Sequence, residues 1–81
     1  MQKYNDFREW IDENTTYTNS TKSNIVSRLK RADGILEISD DPIYLYKLSQ
    51  KTEFLKLTVS VKSQVRRAVK LYFQYKGIEG V

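Results

Sequence analysis

Lys62, Arg66 and Lys70 recur at every fourth position near the end of the sequence, with Arg67 beside them and Ser63, Gln64 and Gln74 interleaved. Residues four apart share one face of a helix, so this spacing lines three cations in a single row. An earlier group, Lys22, Ser23, Ser27, Lys30 and Arg31, falls on the polar side of a second helical stretch. The chemistry on offer is charge-assisted hydrogen bonding to anions, with small hydroxyl residues that permit close approach and bond phosphate oxygens themselves. Ser20 and Thr21 stand at one expected helix start, and Ser60 and Ser63 at the other. Free backbone N–H groups and the positive end of the helix dipole favour anions there as well.

Other chemistries lack their residues. The sequence has no Cys and no His, which removes thiolate nucleophiles, the commonest general base and the commonest transition-metal ligand. The acid pairs Asp12/Glu13 and Asp40/Asp41 are neighbours in sequence and do not flank a reacting bond. They suit helix ends and caps better. No phosphate loop or nucleophile elbow occurs. No catalytic residue, metal ligand or cofactor is therefore assigned, and this chain alone is not expected to be an enzyme.

Charge is segregated along the 81 residues, whose formal net charge is +4. Positions 19–32 carry Lys22, Arg28, Lys30 and Arg31 with no acid, and 58–76 carry Lys62, Arg66, Arg67, Lys70 and Lys76 with no acid. Positions 33–41 carry Asp33, Glu37, Asp40 and Asp41 with no base. A single basic helix face is usually just solvated surface. Two acid-free stretches in so short a chain point instead to a polyanionic partner, and nucleic acid is the expectation. The candidate contacts are Lys22, Ser27, Lys30, Arg31, Lys62, Ser63, Arg66, Arg67, Lys70 and Gln74, with Gln64, Gln74 or Ser27 reaching base edges. The first residues lack the apolar run of a signal peptide, and no stretch has the length of a membrane span. A cytoplasmic location, no membrane partner and no small-molecule substrate are the corresponding expectations.

The elements that must hold these residues read as all-helical, a compact bundle of four to five helices in one domain. Tyr4, Phe7, Trp10 and Ile11 predict a first helix over 4–14. The polar run Asn14-Thr15-Thr16-Tyr17-Thr18-Asn19 ends it, and Thr18 or Ser20 caps a second over 19–36. Its buried stripe is Ile25, Val26, Leu29, Ala32 and Leu36. Asp41-Pro42 signals a third helix over 42–51, of about three turns, and Phe54, Leu55 and Leu57 a short one over 53–57. Thr58 or Ser60 starts the last, 59–76, with Val61, Val65, Ala68, Val69 and Tyr72 as its core face and Gly77 as its stop. Positions 77–81 read as a tail or the start of a linker. The alternation Leu57-Thr58-Val59-Ser60-Val61 also fits a strand, but it would have no partner strand.

In order and content these segments resemble a known family. Phe7-Arg8-Glu9-Trp10-Ile11, the link Thr18-Asn19-Ser20-Thr21, the stretch Ile25-Val26-Ser27-Arg28-Leu29 and the run from Leu57 to Tyr72 look like the N-terminal core-binding domain of tyrosine recombinases and phage integrases. The resemblance spans nearly all of 4–76 and implies a SAM-like helical bundle that forms half of a clamp around duplex DNA. It also implies that the helices 19–36 and 59–76 face the DNA, and these overlap the acid-free stretches 19–32 and 58–76. The family's catalytic domain follows this module, so none of the six tyrosines is given a nucleophilic role. A fragment of a recombinase and a free-standing regulator derived from one both fit.

A reading of a different class is a protein-interaction module. Glu37, Asp40 and Asp41 would then meet a basic patch on a neighbouring copy, on DNA or off it. Binding to a full-length recombinase is a third possibility.

Overall fold

Two threonines start the two long helices in the same way. The structure, a computed structural model, describes residues 4–77. Its elements are α1 (Asn5–Asn14), α2 (Asn19–Ile35), α3 (Tyr44–Ser49), α4 (Thr52–Leu55) and α5 (Val59–Lys76). The Thr18 Oγ1 accepts from the Thr21 N–H at 3.2 Å, and the Thr58 Oγ1 from the Val61 N–H at 3.2 Å. Each cap satisfies one orphan donor and contributes about 1 kcal/mol. The stretch that alternates like a strand is thus a cap followed by the first turn of α5.

The other ends are closed by equally local means. At the end of α1 the Thr15 N–H and Oγ1–H both donate to the Ile11 carbonyl, at 3.0 and 2.8 Å, while the Asn14 amide donates to the Trp10 carbonyl. Gly77 stops α5 in the left-handed region, φ 75°, where a side chain would be strained. Gly34 lies inside the last turns of α2, exposed and without a positive φ. Tyr4 occupies the cap position of α1, which begins at Asn5, and makes no side-chain cap bond.

The middle of the chain differs from its sequence reading. Rather than spanning 42–51, α3 has six residues and begins after Pro42. The Asp41 side chain accepts from the Ile43 N–H at 3.0 Å and its carbonyl from the Tyr44 N–H at 2.9 Å. This Asx turn keeps Pro42 ahead of the helix. The helix ends early because the Gln50 and Lys51 N–H groups reach back three residues, to Lys47 and Leu48. Likewise α4 covers Thr52–Leu55 instead of 53–57, since the Leu57 N–H closes on Phe54. Positions 78–81, expected as a tail, lie outside the described residues.

The most extensive packing joins α2 to α5. Ile25, Leu29 and Ala32 on the first and Val65, Ala68, Val69 and Phe73 on the second are buried, with the remaining expected stripe residues Val26, Leu36, Val61 and Tyr72 packed at the edge. Each large side chain so buried contributes about 1.5 to 3 kcal/mol. Aromatic rings join α1 to α5: Phe7 meets Tyr72 edge-on at 5.3 Å and Tyr75 at 5.6 Å, while the half-buried Trp10 caps the cluster against Tyr75 at 5.9 Å.

Tyr44 is the polar keystone of this core. Only 1% exposed, it packs on Phe73 and donates its hydroxyl to the carbonyls of Leu36 and Ala32, at the end of α2. Burial pushes its phenol well above the ordinary range, helped by the nearby charge of Asp33. Asp33 itself accepts from the Ile38 N–H at 2.9 Å. The Tyr4 phenol is pushed up in the same way, by burial first and then by Asp33, which thus acts on both the loop after α2 and the start of α1. Among the described residues there is no strand, and no helix is long and apolar enough to cross a membrane.

Candidate nucleic-acid interface

The face of α5 opposite Val65 and Val69 is where the basic residues gather. Ser63, Arg66, Arg67, Lys70 and Gln74 line a groove of about 410 Å³ together with Tyr17 and Leu71. All five polar or charged α5 residues in it are exposed, as their helical spacing from the buried stripe requires. Beside the groove lies a smaller cleft of about 170 Å³ between α2 and α5, lined by Thr21, Asn24, Ile25, Arg28, Gln64 and Arg67. Arg67 lines both, and Tyr17 of the groove also lines a third hollow, with Glu13. Among the described residues no carboxylate lines the groove or the cleft.

Three of the arginines are held by neighbours. The Arg67 guanidinium lies over the Tyr17 ring, 4.8 Å from its centroid, and that of Arg66 over the buried Phe54, at 5.3 Å. The Arg28 Nε–H donates to the Gln64 Oε1 at 2.7 Å, a bond across α2 and α5. None of these contacts neutralises a positive charge. Ring faces and a neutral amide fix the direction of each cation and leave its field intact.

The remaining candidates from the sequence are placed elsewhere. Lys22 turns towards α1, where its Nζ sits 2.7 Å from the Asp12 carboxylate and its side chain is only 13% exposed. That hydrogen bond, with help from the Lys22 and Arg8 charges, holds the Asp12 carboxyl below the usual carboxylate range. Ser27, Lys30 and Arg31 are exposed on α2 and line neither hollow. Lys30 comes two residues after Arg28, about 200° round the helix, and so faces away from the cleft. Lys62 is half-buried and also lines neither. Thr21 is part of the α2 cap, and Gln64, a candidate for base edges, has its oxygen committed to Arg28.

Arg28, Asn24 and Tyr17 are the lining residues that sequence reasoning did not select. A signal for two of them was present: Thr21, Asn24 and Arg28 stand at i, i+3 and i+7, a row along one edge of α2. Tyr17 had no such signal, because it lies in the link before the helix and reaches α5 only through the tertiary fold.

The acidic stretch is partly consumed by the structure. Asp33 serves the hydrogen bonds described above, and the Asp41 carboxylate pairs with the Lys47 Nζ at 2.6 Å. That bond, with the Ile43 N–H, holds the Asp41 carboxyl below its ordinary range. Glu37 and Asp40 remain exposed in the loop at the far end of α2 from the cleft. No protein-family model, no curated protein and no solved structure matches the chain.

Proposed function

We propose that the chain is a module that binds double-stranded DNA through the surface formed by α2 and α5. The observation that carries this reading is the convergence of Arg28, Arg66, Arg67 and Lys70, from two helices, on two adjoining hollows that no carboxylate of the described residues lines. Such a surface suits a regular array of phosphates, with Ser63, Asn24 and Gln74 as neutral donors among the cations. The groove offers no open aromatic platform of the kind that single strands stack on, since Arg67 covers a face of Tyr17. Duplex is accordingly favoured over single strand. The sequence resemblance extends the proposal to a module of a site-specific recombinase or integrase, or of a regulator derived from one, acting in the cytoplasm.

The test is a fluorescence-polarisation titration against mixed-sequence duplex at several salt concentrations. Dissociation constants of about 1 to 100 μM that weaken steeply with salt are expected for the sequence-independent component. Absence of binding at low salt would overturn the proposal. Light scattering that instead showed salt-sensitive self-association, indifferent to DNA, would favour the contact between acidic loop and basic face of neighbouring copies.

A further inference from the structure

The geometry points to a seat for one phosphate group in the cleft between α2 and α5, held by Arg28 and Arg67 with Gln64 and Tyr17 as their positioning residues. This deepens the duplex-binding reading and rests on it for the source of the phosphate, a backbone phosphodiester.

Both arginines line the same cleft of about 170 Å³, several times the roughly 30 Å³ share of one water molecule. Each is oriented by a neighbour that carries no charge. Arg28 uses its Nε–H on Gln64, which leaves the paired Nη nitrogens as its free fork. Arg67 lies over the Tyr17 ring, an aromatic contact that supplies no anion. Among the described residues neither is paired with a carboxylate, and none lines the cleft. Two like charges thus border one small space that already contains the polar side chains of Thr21 and Asn24. An anion placed there relieves their repulsion, and the prior orientation of both side chains lowers the entropic cost of closing on it. Two forks approaching from different helices match a tetrahedral group with several acceptor oxygens better than a planar carboxylate. Arg66 and Lys70 line the neighbouring groove and not this cleft, so they serve adjacent phosphates.

The experiment follows the arginine Nε–Hε resonances of the ¹⁵N-labelled full chain by NMR, first with inorganic phosphate and then with mixed-sequence duplex. The Arg28 and Arg67 signals are expected to shift saturably with inorganic phosphate, ahead of Arg66. Arg28→Ala should weaken that binding about tenfold or more, the worth of a charged hydrogen bond. Gln64→Ala and Tyr17→Leu should weaken it several-fold each, whereas Tyr17→Phe, which keeps the ring, should restore the native affinity. Tyr17→Leu should add little once Arg67→Ala is present. Linear, equal shifts of all arginines would overturn the seat, even if duplex still binds through the groove. Saturable phosphate binding by a chain that ignores duplex would keep the seat and overturn the DNA reading, leaving free phosphate as the ligand. Equal affinity of the Leu and Phe variants would overturn the role given to Tyr17.

Discussion

Reversing two charges in the groove gives the sharpest test of its electrostatics. Arg66 and Lys70 are exposed, sit one turn apart on α5 and contribute nothing to the buried core. Arg66→Glu with Lys70→Glu removes two units of positive charge at each position and takes the formal net charge from +4 to zero. Four cations line the two adjoining hollows. If each meets a phosphate, log affinity falls against log salt with a slope of about −3.6, which means about 150-fold weaker binding at 200 mM than at 50 mM salt. With two contacts left the slope becomes about −1.8, and the same change in salt costs only about 12-fold. The double variant should bind below detection at 200 mM salt and show the shallow slope at low salt, because the glutamates add repulsion to the lost contacts. Its fold should survive. The loss of the Arg66 contact with Phe54 is worth about 0.5 to 1 kcal/mol, a fall in Tm of about 2 to 8 °C. Polarisation titrations at four salt concentrations give the slope, and circular dichroism gives the Tm. A slope unchanged from the native protein would refute the assignment of these two residues to phosphate.

Three further outcomes test the scaffold. Gly34→Ala should stabilise the protein by about 0.5 to 1 kcal/mol in denaturant titrations, since a Cβ there meets nothing within 4 Å and the helical φ is ordinary; a loss of stability would contradict the placement of Gly34 inside α2. Tyr44→Phe should lower stability by about 1 to 3 kcal/mol by leaving the Leu36 carbonyl without its donor, while the Ala32 carbonyl keeps the Leu36 N–H, and an unchanged Tm would refute the keystone role. Asp12 has its folded pKa held below the ordinary 3.8, so its contribution is present above that value and is lost as pH falls through the lower, folded one. Asp12→Asn should accordingly reduce Tm at neutral pH and leave a smaller further decline below about pH 4, whereas parallel Tm–pH curves would show that its pairing with Lys22 does not act in solution.

Much of the bundle was legible because short-range rules govern it. Thr18, Thr58 and Gly77 are cap residues whose effect is decided within four positions, and Ile25–Leu29–Ala32 and Val65–Ala68–Val69 follow helical periodicity. The ends of α3 were not legible, since Asp41-Pro42 suits both a helix start and an Asx turn, and the side-chain bond to Ile43 settles which one forms. Tyr44 offered no sign that its hydroxyl would find the end of α2. For the site, spacing sufficed to bring Ser63, Arg66, Arg67, Lys70 and Gln74 together, because all lie on one rigid helix. It did not reveal that Lys22 pairs with Asp12 from another helix, or on which side of α2 Lys30 lies relative to α5. Charge sign is a property of sequence, but neutralisation is a property of tertiary neighbours.

The position of α2 between a cationic cleft and an acidic loop has a kinetic consequence. From Thr21 to Leu36 the helix advances about 22 Å, roughly two Debye lengths at 0.1 M salt. A rod-like polyanion drifting past therefore exerts a torque, drawing in one pole of the protein and repelling the exposed Glu37 and Asp40 at the other. Rotation into register begins before contact, so a greater share of collisions is productive at low ionic strength. In concentrated salt each pole is felt alone and that pre-alignment disappears, so under the proposed DNA-binding function the association rate should fall along with the affinity.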